Sequence, residues 1–347
     1  VLLRRRRPDI GRLVTTLRGG LADAVPLIEL GIAPPLKEAV LERPVASVVD
    51  DIAFMQMMGY DFVKIQPGIT FRLNRHKAHI AVAPVYQNTP DRAWAGAGGP
   101  LIATWDDFEQ YPWPHVEDIT YKNFELAAAN LPPEMGIIGQ YGDIFTMTWE
   151  LMGFEAFSMA LVEDPELVAA LMARVGDLIV GMFRVMAQAP RVAALWYSDD
   201  IAFTGGLMVS PTWLRAHFFP QLARIGAFAR EANIPLLYHS DGVLHTVLED
   251  IIGAGVSALH PIEPLAMDIV ELKDKVGDRL CLCGNIDVDL LTRGTPEQVA
   301  ALVRKRLDQL GSRGGYAIGS SNSVPDYVPL ANYLSMVETS LEYGIVD

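Results

Sequence analysis

Eight short apolar segments recur along the chain, most of them followed by a stretch of helical periodicity, and this beat limits the folds open to it. The segments are Val25–Leu30, Phe62–Gln66, Gly136–Gln140, Ala194–Ser198, Pro235–His239, Ala258–His260, Leu280–Cys283 and Gly315–Gly319. Strands that alternate with helices pair in parallel through right-handed crossovers. Eight strand–helix units need about 250 residues, more with insertions, and close into a (β/α)8 barrel. The chain has 347 residues, half of them hydrophobic, enough for one large core. The sequence therefore predicts a single α/β domain with TIM-barrel architecture. An open doubly wound sheet is the runner-up, weakened because no Gly-x-Gly-x-x-Gly follows a strand.

The helix signals agree with this beat. Asp164-Pro165 opens a helix with an N-cap acid and Pro at the first helical position. Ser210-Pro211 opens another, and a helical stretch covers about Val45 to Met58. Thr295-Pro-Glu-Gln298 has capping-box spacing, and Val299, Leu302, Val303, Leu307 and Leu310 continue at helical intervals to Gly311. Residues 67–114 break the beat. There His79–Tyr86 reads as a β-excursion, a Gly-rich turn follows at Gly96–Pro100, and the whole is an expected insertion after the second strand. Its aromatics, Trp94, Trp105, Tyr111 and Trp113, read as local core, since aromatic rings mostly serve packing.

Net charge is −14, so a phosphate backbone or an anionic membrane is not the expected partner. The one basic run, Arg4–Arg7, reads as a solvated segment. The two cysteines, Cys281 and Cys283, are two positions apart and cannot staple a long loop. No signal-peptide h-region follows the basic run, and no stretch reaches the ~18 apolar residues of a membrane span. The expected location is the cytoplasm.

In a parallel barrel the site forms at the C-terminal ends of the strands. The strand ends here carry Glu29, Gln66, Gln140 to Asp143, Ser198-Asp199-Asp200, His239-Ser240-Asp241, His260 with Glu263, Asn285 with Asp287, and Ser320 to Asn322. His239 and Asp241 would share one face of an extended segment, and Glu263 sits past the next strand. An imidazole and two carboxylates from adjacent strand tips can hold a divalent metal, so His239, Asp241 and Glu263 form the expected metal set. Asp199 and Asp200 are adjacent, so only one should face inward, the other capping or pairing with a helix. Cys281, Cys283 and Asn285 share a face if the strand is continuous; Cys281 reads as core and Cys283 as a possible ligand contact. The expected catalytic residues are His239, Asp241, Asp199, Asp200 and Tyr141. The expected substrate contacts are Glu29, Gln66, His260, Cys283, Asn285 and Ser321.

Across nearly the whole chain the sequence resembles the uroporphyrinogen decarboxylase superfamily. The resemblance rests on Leu17-Arg-Gly-Gly20 with Asp23-Ala-Val-Pro26, Gly153-Phe-Glu155, Asp199-Asp200 ahead of Met208-Val-Ser-Pro211, and Tyr238-His-Ser-Asp-Gly242. It continues through Ala258-Leu-His-Pro261, Gly284-Asn-Ile-Asp287 and Gly319-Ser-Ser-Asn-Ser-Val-Pro325. That superfamily includes decarboxylases and corrinoid-linked methyltransferases, and it implies the barrel and a homodimer.

The departures separate the two activities. A decarboxylase of this kind carries arginines just after the first strand, where this chain has Glu29-Leu-Gly-Ile-Ala33, and an acid near Gln66. Its late His falls near Ser321. An acid at Glu29 would repel a polycarboxylate. The methyltransferase branch binds zinc through His-x-Cys on the fifth strand and a Cys after the last. His239 matches the His, Asp241 stands at the first Cys, and Ser320 or Ser321 at the second; Glu263 matches a Glu found in a related methionine synthase. Oxygen donors thus replace two thiolates, a harder set that would bind a divalent ion, zinc by resemblance, more weakly. The resemblance implies a corrinoid-linked methyltransferase, the corrinoid carried by a partner protein, and a small-molecule substrate. The alternatives are a cofactor-free decarboxylase and a binding protein that has lost catalysis.

Overall fold

A computed structural model describes residues 6–68 and 100–346 of the chain. The expected β-excursion at His79–Tyr86, Trp94 and the start of the turn at Gly96 lie outside the described residues. The strands are β1 (Phe62–Ile65), β2 (Gly136–Gly142), β3 (Val192–Ser198), β4 (Ala202–Phe203), β5 (Gly206–Leu207), β6 (Leu236–His239), β7 (Ala258–His260), β8 (Cys281–Cys283) and β9 (Tyr316–Ala317). Seven form one sheet in the order β1-β2-β3-β6-β7-β8-β9, and every neighbouring pair is parallel. β4 and β5 make a small separate hairpin between β3 and β6.

The predicted first strand, Val25–Leu30, is shorter than expected. Leu27 bridges Ile318 in parallel just past β9, through Ile28 N–H to the Ile318 carbonyl (2.9 Å) and Ile318 N–H to the Pro26 carbonyl (2.9 Å). Pro26 has no N–H with which to extend that ladder. The segment adds to the β9 edge of the sheet, so the strands run in chain order from β1 round to it.

Register assigns the two faces. Tyr141 pairs with Tyr197, and Tyr197 with Tyr238. This is the helix side: Tyr197 packs on Phe183 of the helix Pro165–Met186, and Phe218 packs on both Tyr197 and Tyr238. The opposite, concave face carries Lys64 with Ile138, Gln140 with Trp196, and the row Ser198, His239, His260. Cys281 and Cys283 point to this face as well, both fully buried, sulfur to sulfur 4.0 Å.

The helix starts fall where the side chains can cap. Asp164 accepts from Leu167 N–H at the head of Pro165–Met186, and Ser210 accepts from Trp213 N–H at the head of Pro211–His217. Ser47 and Asp50 form a capping box on Val48–Met57, three residues inside the predicted start. Thr295 caps Pro296–Leu310, but Gly311 is not a stop: its backbone stays right-handed and a short 3₁₀ turn continues to Arg313. The described insertion aromatics pack on one another, Trp105 on Phe108, and Phe108 and Tyr111 on Trp113, while Arg174 lies over the Trp113 ring. Among the described residues no helix is long and apolar enough to cross a membrane.

Two buried acids hold elements together. Asp199, 1% exposed, accepts from the N–H groups of Phe145 (2.6 Å) and Thr146 (3.0 Å), the Thr146 hydroxyl (2.8 Å) and the Tyr197 hydroxyl (2.5 Å). It thus caps the helix Ile144–Met152 from a neighbouring strand end, where the helix's own N-cap residue offers no side-chain bond. Burial raises its carboxyl to about 6 against those four donors. Glu29, 2% exposed, accepts from Ser320 N–H (2.7 Å) and lies 2.5 Å from the Ser320 hydroxyl, joining the first segment to the last strand end. Burial raises it from the ordinary 4.5 to about 8. A neutral Glu29 also fits the bonding: it can donate to Ser320 Oγ, whose single hydrogen is then free for the Asn322 carbonyl 3.1 Å away.

Replacing Asp199 with Ala strips four donors of a buried acceptor, so unfolding in urea should show a loss of about 3 kcal/mol; a change under about 0.5 kcal/mol, the scale of an ordinary surface site, would show the cap to be dispensable. Glu29 gives a pH signature. Its folded-state value lies above its unfolded one, so its contribution is complete below about 4.5 and disappears as pH rises through about 8. Glu29→Gln should therefore lose less thermal stability than the wild type between pH 5.5 and 8.5. Parallel declines in the two proteins would mean that Glu29 is ionised when folded.

Candidate functional site

The concave row ends where three strand tips meet. β3, β6 and β7 are in register at Ser198, His239 and His260, so the two imidazoles lie side by side at the C-terminal end of the sheet. Their Nδ1 atoms are 2.8 Å apart, and both residues are buried. The Trp196 ring packs edge-on against His260, centroids 4.9 Å apart. Burial is the main force holding His239 below its ordinary pKa, opposed by Asp200 and aided by Lys64; His260 is driven far lower by burial, then by His239 and Lys64. Both rings are therefore neutral at pH 7.

His239 Nε2 faces two carboxylates. Asp200 Oδ1 lies 3.6 Å away and Asp241 Oδ1 4.0 Å away. One donor atom from each of Asp200, His239 and Asp241 falls within 4.8 Å of the others. The backbone fixes the pair of acids, because Asp241 N–H donates to Asp200 Oδ1 at 2.8 Å. Asn322 donates to Asp241 Oδ2 at 2.6 Å, while Asp241 Oδ1 is buried with no hydrogen-bond partner among the described residues. Burial, then Asp200 and Glu263, raise Asp241 to about 8. The chain Glu29–Ser320–Asn322–Asp241 thus ties the donor cluster to the far end of the sheet.

Beside the cluster lies a cavity of about 290 Å³, lined by the loops after β6, β7, β8 and β9. Asp241, Glu263 and Asp287 contribute carboxylates, Ser321, Asn322 and Ser323 contribute polar groups, and Leu265 and Tyr327 stand exposed at its wall. Among these lining residues there is no Lys or Arg.

The structure brings His239, Asp241 and Asp200 together, and it places the other expected residues as follows. Glu263 lines the cavity but stays outside the donor cluster; its Oε2 accepts from Gly242 N–H at 3.1 Å. β3 and β7 both flank β6, but Asp200 Oδ1 is held beside the cluster by Asp241 N–H whereas Glu263 Oε2 is turned to Gly242 N–H, so Asp200 takes its place. Asp199 is turned to the helix side and spent on its cap. Tyr141 shares the register row of Tyr197 and Tyr238, so it lies on the helix face, opposite His239. Glu29 does not line the cavity and is sealed against Ser320, so it cannot repel a substrate there. Gln66 is on the concave face, donating to Gln140, which donates to Ser198 Oγ.

Asn285 does not share the face of the cysteines. Gly284 has φ +103°, which ends the strand's alternation, and Asn285 instead bonds the Ile262 carbonyl and Arg306. Cys283 is fully buried away from the cavity, and burial raises its thiol far above the ordinary value. Ser321 does line the cavity, its hydroxyl accepting from Val288 N–H. The His260 ring meets the His239 ring, and its carbonyl accepts from Ser240 N–H. Lys64, half-buried on the concave face and drawn down to about 8 by burial, was not expected from sequence. Its signal was available, since it stands two residues before Gln66 on the same face of one strand.

The uroporphyrinogen decarboxylase (URO-D) family model matches residues 95–343. A uroporphyrinogen decarboxylase from Chlorobium phaeovibrioides is 26% identical over 221 residues, 60% of this chain and 59% of that protein. The match thus spans about three fifths of that decarboxylase's length. A methylated-thiol–coenzyme M methyltransferase from Methanosarcina mazei is 24% identical over 264 residues, 70% of this chain and 68% of that one. Among solved structures, a methyltransferase from Methanosarcina mazei superposes with a TM-score of 0.72 at 18% identity, covering 97% of this chain and 99% of that one. The chain belongs to the uroporphyrinogen decarboxylase (URO-D) family.

Proposed function

We propose that this chain is a methyltransferase of the corrinoid-linked type. It moves a methyl group between a small methylated substrate or thiol and a corrinoid carried by a separate protein. The observation that carries this reading is the donor cluster of His239, Asp200 and Asp241 at the edge of the 290 Å³ cavity. The cluster suits a divalent ion: Asp241 Oδ1 is buried with no partner among the described residues, and one imidazole with two carboxylates leaves coordination positions open. An ion held there, zinc in the first instance, would supply Lewis-acid polarisation of a bound heteroatom. The sheet, with Val25–Leu30 as an eighth strand, is read as one closed barrel spanning the chain, residues 67–114 being an insertion within it.

The chain's own residues do the rest. Asn322 fixes Asp241, and the Asp241 backbone fixes Asp200, so the cluster is oriented before substrate arrives. Leu265, Tyr327, Pro264 and Pro325 give the cavity an apolar wall against which a methyl-bearing group can rest. The methylated-thiol methyltransferase relative supports this reading.

Decarboxylation of a uroporphyrinogen-like acid is the second reading, favoured by the decarboxylase relatives. The cavity weighs against it. Three acidic side chains and no basic one line the described walls, so a polycarboxylate would find no cationic partner there.

The test uses the full chain with methylcobalamin in place of the corrinoid partner and a panel of small thiols. Loss of the methylcobalamin absorbance should depend on added zinc, stop with a chelator, and fall roughly 100-fold or more in His239→Ala. No methyl movement with any thiol, together with carbon dioxide release from uroporphyrinogen, would replace this reading with the second.

A further inference from the structure

We propose that Lys64 anchors an anionic group of the substrate, so that the site takes a small monoanionic compound, a thiol acid or its methyl thioether, with the acid end at β1 and the sulfur at the donor cluster. This rests on the methyl-transfer reading above and adds the substrate's charge and its direction in the site.

Lys64 pairs with Ile138 in the register of β1 on β2, so Lys64 and Gln66 share the concave face with Gln140, Ser198 and His239. Its ammonium has no hydrogen-bond or ion-pair partner among the described residues. Asp51, the acid whose charge reaches it, is already closed on Lys37 at 2.7 Å. A cation drawn partly out of water with no counter-ion is costly. Packing does not ask for it, since a methionine would fill about the same volume without that cost. Burial, then Lys37, draws the ammonium down to about 8, so it stays mostly charged at pH 7. Lys64, Gln66, Ser198, Asp200 and Asp241 all keep part of their surface exposed. Solvent therefore reaches this face both at β1 and at the donor cluster.

The two ends differ in chemistry. At the β1 end the groups left over are donors. Gln66 gives one amide hydrogen to Gln140 and keeps a second, and Ser198 Oγ accepts from Gln140 at 3.0 Å and keeps its own hydrogen. Lys64 adds three more. At the tips of β3 and β6 stand His239, Asp200 and Asp241, and the cavity wall beyond adds Glu263 and Asp287. An anionic end is disfavoured among those acids, and Lys64 is the one cation among the described strand residues of this face. One ammonium matches one acid group; a polycarboxylate would leave its other groups bare.

Calorimetric titration of the full chain tests this. The probes are methylthioacetate, methylthiopropionate and methylthiobutyrate, each beside its neutral amide of nearly the same shape. At least one acid should bind wild-type protein about 10-fold or more tightly than its amide, the scale of a charge-assisted hydrogen bond. Lys64→Met, which keeps the stem, should bring that acid to the level of the amide, and Lys64→Arg should keep part of the preference. A packing role alone would change acid and amide alike. If Lys64→Met does not fold, Lys64→Gln replaces it. The proposal is overturned if no acid binds, if the acids bind wild type no more tightly than the amides, or if the preference survives loss of the charge. Calorimetry needs no turnover: Lys64-dependent acid binding in a chain that moves no methyl group supports the anchor and refutes the methyl-transfer reading. Methyl transfer with equal kcat/KM for acid and amide refutes the anchor alone.

Discussion

The bond between His239 and His260 exists because β3, β6 and β7 stay in parallel register to their last residues. A one-residue slip would send one ring to the helix face among the tyrosines, since side chains alternate along a strand. Register is held by what fills the helix face. Tyr197 and Tyr238 stack there with Phe218, and Leu259 and Leu282 continue the same row. The functional face thus inherits its precision from apolar packing on the opposite face. The site chemistry and the core are two sides of the same strands.

Several buried polar residues gather at the C-terminal end of this sheet. Glu29, Asp199, His239 and His260 are all nearly without exposure, and each is tied to hydrogen-bonding partners from another element. A buried polar group is costly unless bonded, so these residues lock the strand ends in place. The atoms left over are informative. Asp241 Oδ1 has no partner, and His239 Nε2 makes only long approaches to two acids. Asp241 Oδ1 and His239 Nε2 lie together where a ligand would complete them; other unpartnered buried atoms among the described residues, such as Asp61 Oδ2 and Trp149 Nε1, lie elsewhere.

Much of the fold was legible in the sequence because strand–helix alternation and capping are local signals. Asp164, Ser210 and Thr295 open helices as their side chains dictate. The site was legible in part. That His239 and Asp241 belong together followed from spacing alone, and that only one of Asp199 and Asp200 faces inward followed from alternation. Which one does so depends on the uncapped helix at Ile144, a tertiary fact. Asn285 was misjudged because alternation was carried through Gly284, whose left-handed backbone ends it. Glu29 and Tyr141 were misjudged because a polar residue at a strand end has two faces to choose from, and register decides. Asp200 replaced Glu263 in the cluster because the loop backbone decides which acid turns inward: Asp241 N–H holds Asp200, and Gly242 N–H holds Glu263.

The donor cluster is the claim on which the functional account stands, and zinc titration against a competing chelator tests it most directly. The account predicts one site per chain in the wild type, lost in His239→Ala and Asp200→Ala and kept in Glu263→Ala. Binding that survives loss of Asp200 but not of Glu263, or no zinc binding by the wild-type protein, would contradict it.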